Sequence, residues 1–105
     1  MILNNYKYFI APIESIDLTY PEALMYCAFL NIDDYFDWYI PSLKEWQFIL
    51  QENKNILSQD SSYWSGSNAV SQKRIWTISE NSKNIKVRHI LDKCKVRAIR
   101  KELLS

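Results

Sequence analysis

The spacing of apolar residues changes once along this chain, and that change limits the fold more than any other feature. Up to about residue 58, apolar side chains recur every three to four positions in two segments, whereas beyond it they alternate with polar ones. The first spacing is typical of helices and the second of half-buried strands. With 105 residues, 48% of them hydrophobic, the chain has apolar mass for one core. The sequence predicts a single α+β domain over residues 1–105, with two helices packed on a small twisted antiparallel sheet.

Two capping boxes mark where the helices begin. Each box is a hydroxyl residue and, three positions later, a glutamate, and the two boxes are Thr19 with Glu22 and Ser42 with Glu45. In such a box each side chain accepts a hydrogen bond from the backbone N–H group of the other residue. We therefore expect helices over residues 21–30 and 43–52, each with one apolar face.

Five short segments have the composition and alternation of strands. They span residues 6–13, 62–65, 74–80, 85–91 and 95–100. Residues 81–84, Asn-Ser-Lys-Asn, have the composition of a hairpin loop. The only glycine, Gly66, follows the second of these segments, and we expect it to provide a β-bulge or a positive φ.

The net charge of +1 hides a division between the two halves of the chain. Residues 1–60 contain nine Asp or Glu and three Lys or Arg, whereas residues 61–105 contain three and ten. Because one small domain folds both halves together, we expect the opposite charges to complement one another across its surface. The alternative is a basic face that binds nucleic acid. Its candidate residues are Lys73, Arg74, Lys86, Arg88, Lys93, Lys95 and Lys101.

The residues that usually carry catalysis or bind metal are few and scattered. Cys27 and Cys94 have no metal-site spacing and no redox motif, and we interpret them as small buried hydrophobic residues. The single histidine, His89, alternates with the apolar residues of a predicted strand and has no nucleophile motif beside it. The sequence therefore predicts a non-enzymatic protein with no metal site and no cofactor.

The four tryptophans could serve either the core or a ligand. In a small domain, large aromatic side chains more often fill the core than form a binding platform. We expect Trp38 and Trp64 to be structural, and Trp76 stays open between the two roles.

Five short segments occur in an order that resembles a known family. They are EALMYCAFL, DDYFDWYIPSLKEW, SYWSGS, RIWTIS and KVRAIR, and they lie between residues 19 and 100. This series resembles the Lcl carboxy-terminal-domain family, a bacterial and phage group within the C-type-lectin-like fold. The matching residues are Ala23, Tyr26, Cys27, Asp37, Trp38, Pro41, Ser42, Glu45, Tyr63, Trp64, Ser65, Trp76, Val96, Arg97, Ile99 and Arg100.

The resemblance implies particular contacts as well as a C-type-lectin-like fold. In C-type lectins, the first helix and the region of the last strand are joined by a structural disulfide. Cys27 and Cys94 lie on the corresponding segments, and whether they are bonded stays open. The resemblance also implies that the closing arginines of KVRAIR, Arg97 and Arg100, pair with acids such as Asp37 or Glu45; the alternative that they bind phosphate or sulfate groups stays open.

The chain also departs from the family pattern. Tyr39, Trp46 and Gly66 stand where the family usually has Arg, Leu and Ser. Calcium-dependent C-type lectins use a Glu-Pro-Asn or Gln-Pro-Asp loop and a Trp-Asn-Asp strand to supply oxygen ligands, and none of these occurs in this chain. We therefore expect a metal-independent, lectin-like binding module whose ligand surface has been rewritten.

Three functions fit these expectations. The first is a recognition module that binds a protein or surface glycan through the loop side of the fold, as in a phage or bacterial adhesin or tail-associated protein. The second is a small phage or mobile-element protein that modulates a host protein inside the cell, and the third is the nucleic-acid binder. The candidate ligand-binding residues are Ser67, Asn68, Gln72, Lys73, Arg74, Trp76, Lys83 and Arg88. The chain shows no signal peptide and no membrane span, which predicts a cytoplasmic or virion-associated protein, and a homo-oligomer stays open.

Overall fold

The structure, a computed structural model, describes residues 1–53, 55–58, 60–68, 73–79 and 85–104. Within these ranges the fold is α+β, with two helices and two small antiparallel sheets. The elements are β1 (Ile2–Leu3), β2 (Tyr6–Ile10), α1 (Tyr20–Phe29), α2 (Leu43–Glu52), β3 (Ser62–Asn68), β4 (Arg74–Ser79), β5 (Ile85–His89) and β6 (Ile99–Leu103). Neither helix is long and apolar enough to cross a membrane.

Both predicted capping boxes are present. The Thr19 and Ser42 side chains accept hydrogen bonds from the backbone N–H groups three residues later, and the glutamate at each of those positions accepts one in return. Helix α2 has the predicted bounds, whereas α1 begins and ends one residue earlier than predicted. The capping signals therefore located both helix starts to within one residue.

The predicted single sheet is wrong, because the strands form two separate sheets. The terminal sheet has the order β1-β2-β6 and joins the two ends of the chain, from Tyr6 opposite Leu103 to Ile10 opposite Ile99. The central sheet has the order β3-β4-β5. Strand β1 was not predicted, since two residues are too few to show alternation.

The predicted strand over residues 95–100 is wrong in its bounds, since β6 begins only at Ile99 and continues to Leu103. The preceding segment crosses from one sheet to the other. Lys95 forms backbone hydrogen bonds with Ser62 and Trp64 at the start of β3, and the carbonyl oxygens of Val96 and Ala98 accept from the N–H groups of Ser15 and Ala11. Because its backbone groups bond to several partners in turn, this alternating segment forms no continuous ladder.

Two buried clusters make up the core. The first contains Trp38 and Trp64 and brings together α1, the segment before α2, β3 and the crossing segment. The second surrounds Trp46 of α2 and includes Tyr63 and Ile78 of the central sheet and Ile99 of β6. The prediction that Trp38 and Trp64 are core residues is confirmed.

Gly66 allows two backbone segments to approach closely. Its N–H donates to the carbonyl oxygen of Pro41 at 2.8 Å, and a Cβ atom at this position would lie 2.9 Å from the Ile40 carbonyl oxygen. The β3–β4 register shifts between Trp64 and Asn68, which agrees with the predicted bulge. The alternative of a positive φ is wrong, because the Gly66 backbone does not adopt one.

The expected charge complementarity between the two halves of the chain is confirmed. Among the described residues, ion pairs connect the basic half to the acidic half in three places, which are Lys95 with Glu14, Arg100 with Asp37, and Lys101 with Glu45. The contact between Arg100 and Asp37 is also the pairing that the family resemblance implied.

The two cysteines are buried in the first cluster as free thiols. Burial raises the pKa of Cys27 to about 12 and that of Cys94 to about 11. Because the thiolate is the reactive form, both side chains act here as small hydrophobic groups.

Candidate functional site

The predicted ligand-binding residues lie around the central sheet. Six of the eight fall within the described ranges, whereas Gln72 and Lys83 lie outside them. The six are Ser67, Asn68, Lys73, Arg74, Trp76 and Arg88, and they stand on β3, β4, β5 and the residue before β4. We call the five members other than Ser67 the loop-side surface, of which Asn68, Lys73 and Arg74 are exposed and Trp76 and Arg88 are half-buried.

Strand register divides the loop-side surface between two faces of the central sheet. Ile75 pairs with both Asn68 and Arg88, so these three side chains share one face. Trp76 stands on the opposite face, opposite Val87. Arg74 shares that opposite face with Trp76, because the two are separated by one residue. The structure therefore brings Asn68 near Arg88 and Arg74 near Trp76, but it does not gather the set into one site.

Ser67 and Arg88 of the predicted set are already engaged within the fold. The Ser67 hydroxyl accepts a hydrogen bond from the backbone N–H of Leu43 at the start of α2. Arg88 donates from Nη2 to the Ser62 hydroxyl at 3.4 Å, while its buried Nε has no hydrogen-bond partner. Ser67 thus ties β3 to α2.

A cleft on the other sheet was not predicted from the sequence. It begins at a tight turn in which Ile32 and Tyr35 exchange two backbone hydrogen bonds. Asp33 and Asp34, between them, have φ values of 54° and 65°. Two successive left-handed residues are what a type I′ hairpin turn requires, and aspartate is among the residues that tolerate them.

This turn faces one side of the terminal sheet across a cleft of about 310 Å³, which we call the bend cleft. Phe9 pairs with Arg100 in the terminal sheet, and Lys7 pairs with Glu102, so all four side chains share that side of the sheet. The residues that line the bend cleft are Phe9, Ile10, Pro12, Ile32, Asp33, Tyr35, Trp38, Arg100 and Glu102.

Arg100 organises the floor of the bend cleft. Its guanidinium donates from Nε to Asp37 Oδ1 at 2.8 Å and lies 3.1 Å from Glu102 Oε1 through Nη1. Its Cζ atom lies 3.6 Å from the Tyr35 ring centroid and 5.1 Å from that of Phe9. The hydrogen bond from Arg100 lowers the pKa of Asp37, and the same contact raises the pKa of Arg100. Arg100 is only 5% exposed and belongs to the sheet. Its contacts with Tyr35 in the turn and with Asp37 just after it therefore hold the turn against the sheet.

The Trp38 indole supports the turn from inside. Its Nε1 donates to the Tyr35 carbonyl oxygen at 3.1 Å, and the ring belongs to the first core cluster. The Tyr35 side chain itself remains 45% exposed although Arg100 lies over one face of its ring. The bend cleft therefore has a rigid base and an accessible aromatic rim.

Helix α1, which leads into this turn, has an apolar outer side. Ala23 and Cys27 face the core, but Leu24, Met25, Ala28 and Phe29 are exposed. These four residues lie on one side of the helix because positions three and four apart are neighbours on a helix surface. Phe29 is 79% exposed. We call these four residues the α1 apolar face.

The basic residues proposed for nucleic acid do not share one surface. Lys95 pairs with Glu14 and Lys101 with Glu45, at separate places. On β5, Lys86 and Arg88 share one face of the central sheet, whereas Arg74 lies on the other. The nucleic-acid hypothesis therefore has no single electrostatic footprint among the described residues.

Two further carboxylates are bonded to tyrosines inside the fold. Burial raises the pKa of Glu45, but hydrogen bonds from Tyr39, Tyr8 and the Ser42 backbone leave it lowered overall. Glu14 accepts from Tyr63 and Ser58 in the same way, and its pKa is also lowered overall despite burial. Both carboxylates therefore stabilise contacts within the fold.

Among the described residues no group of three or more His, Cys, Asp or Glu side chains could hold a metal ion.

Comparison with known proteins adds no relative to this description. No family model matches the chain, and no curated protein matches it. The case for a function therefore depends on the geometry of the surfaces described above.

Proposed function

We propose that this chain is a non-enzymatic recognition module that binds a protein partner through the α1 apolar face and the neighbouring turn. The observation that carries the proposal is the exposure of Leu24, Met25 and Phe29 along one side of a helix whose other side is already in the core. Large exposed apolar patches on small domains mark surfaces that another protein covers. Tyr35 and Phe36, exposed in the turn that follows α1, extend the same segment.

The same observation favours a protein partner over a surface glycan. Sugars present hydroxyl groups that need polar partners, whereas the α1 apolar face has no polar side chain among its four members. An apolar helix face is better matched by the hydrophobic centre of a protein interface. The loop-side surface stays a second prediction for the contact, resting on exposed Asn68, Lys73 and Arg74.

We also propose that the domain is C-type-lectin-like and related to the Lcl carboxy-terminal-domain family. All five segments that carry the resemblance contribute to the first core cluster, through Ala23 and Cys27, Trp38, Trp64, Ile75 and Val96. The ion pair of Arg100 with Asp37 joins the second segment to the fifth. The ion pair is the more specific support for the family assignment, because apolar residues of any small domain meet in its core.

An affinity capture with two matched variants tests the proposed function. Tagged wild-type protein, Phe29→Asp and Leu103→Asp are incubated with lysate of the source cell and washed in low and in high salt. Leu103 is an exposed apolar residue at the end of β6, outside the α1 apolar face. We expect one protein to be retained in high salt by wild type and Leu103→Asp and to be lost with Phe29→Asp.

The salt arm separates the alternatives. An apolar contact persists in high salt, whereas binding that rests on phosphate contacts falls steeply as salt rises. Retention of the same proteins by all three forms would contradict the role of the α1 apolar face. Recovery of nucleic acid in low salt only would favour the basic-residue hypothesis instead. Thermal unfolding of each form shows that the variants are folded.

A further inference from the structure

The bend cleft has the dimensions and walls of a small binding site. Its volume of about 310 Å³ lies at the lower end of ligand pockets, which span roughly 300–1,000 Å³. The walls are mainly apolar and aromatic, from Phe9, Tyr35 and Trp38, together with Ile10, Pro12 and Ile32. A site of this kind accepts one long side chain with an apolar stem.

The charges around the bend cleft determine whether a bound side chain would be cationic or anionic. Four carboxylates stand in the turn and on the facing strands, those of Asp33, Asp34, Asp37 and Glu102. They oppose two cations on the same side of the terminal sheet, Arg100 and Lys7. Arg100 is already paired with both Asp37 and Glu102. The excess charge is therefore negative, and an anionic ligand would meet no unpaired guanidinium.

Asp33 is the carboxylate that remains available. It lines the bend cleft, it is exposed, and it has no hydrogen bond or ion pair with any residue in the described part of the chain. Its neighbour in the wall, Tyr35, presents an exposed aromatic ring. A carboxylate beside an aromatic ring matches a guanidinium, which pairs with the first and stacks on the second.

The fold already contains one example of this recognition. The Arg100 guanidinium lies over the ring of Tyr35 and near that of Phe9, and it pairs with two carboxylates. The same kinds of group, Asp33 and the exposed part of Tyr35, remain available at the rim. We propose that the bend cleft binds an arginine side chain of the protein partner. This inference rests on the proposed function, and it names the chemistry of the contact beside the α1 apolar face.

A titration observed by NMR tests the inference without the partner. The probe is Nα-acetyl-arginine methylamide, and the uncharged control is Nα-acetyl-citrulline methylamide, which has nearly the same shape. The reporter is the indole N–H signal of Trp38, which lies in the cleft wall and bonds to Tyr35. We expect a saturable shift of this signal with the arginine probe, in the millimolar range usual for so small a ligand. The indole signals of buried Trp46 and Trp64 should stay in place.

Two isosteric variants locate the contact. Asp33→Asn removes the available charge but keeps the left-handed backbone, which asparagine tolerates. It should weaken binding of the arginine probe about fivefold, the upper range for a partly solvated ion pair. Asp34→Asn is the matched control, since Asp34 shares the turn geometry but does not line the cleft. It should leave the affinity within a factor of about 1.5, because separated surface charges are screened.

Three results would overturn the inference. They are a Trp38 signal that does not respond to the arginine probe, an equal response to citrulline, and an equal loss of affinity in both variants. Each of these leaves the proposed function intact if Phe29→Asp still loses the captured protein. Conversely, a specific response to the arginine probe, with capture unaffected by Phe29→Asp, would support the inference about the bend cleft. It would contradict the role of the α1 apolar face in the proposed function.

Discussion

The bend cleft and the loop-side surface both lie against sheets, but they differ in how far their side chains are bonded into the fold. In the bend cleft, Arg100 is buried, ion-paired to Asp37 and stacked on Tyr35. On the loop-side surface, Asn68 and Arg74 are exposed. The side chains of the first region are therefore held in place by several contacts, whereas Asn68 and Arg74 of the second extend into solvent. Because preorganisation lowers the entropy cost of binding, we assign the more specific ligand hypothesis to the cleft.

The largest expected difference between the two regions is in the cost of removing a tryptophan. Trp38→Ala should lower the free energy of unfolding by about 3–5 kcal/mol, the usual cost of truncating a large buried aromatic side chain. It removes a ring in the first core cluster and the hydrogen bond to Tyr35. Trp76→Ala, in the half-buried position on β4, should cost about 1 kcal/mol.

Urea denaturation of both variants measures this difference directly. Equal losses for Trp38→Ala and Trp76→Ala would show that the loop-side surface is as firmly built as the cleft. A loss below about 1 kcal/mol for Trp38→Ala would contradict its core role and the alignment with the family motif.

The second expected effect concerns the close approach of Gly66 in β3 to the backbone of Ile40 and Pro41. Gly66→Ala should destabilise the protein by about 1–3 kcal/mol, as overpacking does. The new Cβ would lie 2.9 Å from the Ile40 carbonyl oxygen, a backbone atom that cannot rotate away. Asn68→Ala, at an exposed position of the same strand, is the control and should change stability by less than about 0.5 kcal/mol. If both variants unfold at the same temperature, the close approach at Gly66 is not required.

The third effect is a pH dependence confined to the cleft. Arg100 holds the pKa of Asp37 below its ordinary value, so the pair contributes stability that is present above the unfolded-state pKa of about 3.9. That contribution is lost as pH falls through the lower, folded-state pKa. Because the Asp37 side chain is 56% exposed, solvent screening limits the contribution to about 1 kcal/mol.

Asp37→Asn should therefore be less stable than wild type at pH 7, with a difference that shrinks in acid. Denaturation curves of the two proteins between neutral pH and the acid limb measure it. A difference that stays constant over the whole range would mean that the ion pair does not carry the effect.

The two regions were also unequally predictable from the sequence. The capping residues Thr19 and Ser42 located both helix starts because a cap is a local signal with its own hydrogen bonds. The loop-side residues could be proposed from the sequence because loops and basic side chains are visible in one stretch of it. The division into two sheets was missed, since alternation reports strands but not their partners.

The bend cleft was missed for a related reason. Most of its residues come from β2, from the turn at residues 32–35 and from β6. Strands β2 and β6 lie at opposite ends of the sequence and meet only in the terminal sheet. One signal could have indicated the turn, since Asp33-Asp34 lies between apolar Ile32 and aromatic Tyr35, and a pair of aspartates tolerates the left-handed backbone of a tight hairpin. No local pattern, however, indicates that Phe9 and Arg100 lie across from that turn.

The smallest expected effect on stability belongs to the loop-side surface. The Arg74 side chain is exposed and forms no hydrogen bond or ion pair with the described part of the chain, so Arg74→Ala should change the free energy of unfolding by less than about 0.5 kcal/mol. Its value lies in binding. If the loop-side surface contacts the partner, Arg74→Ala weakens capture at unchanged melting temperature, whereas Phe29→Asp leaves capture as it is in the wild type. If the α1 apolar face and the cleft make the contact, Arg74→Ala binds as wild type does. Because both substitutions are at exposed positions, lost binding in either one reports the interface and not unfolding.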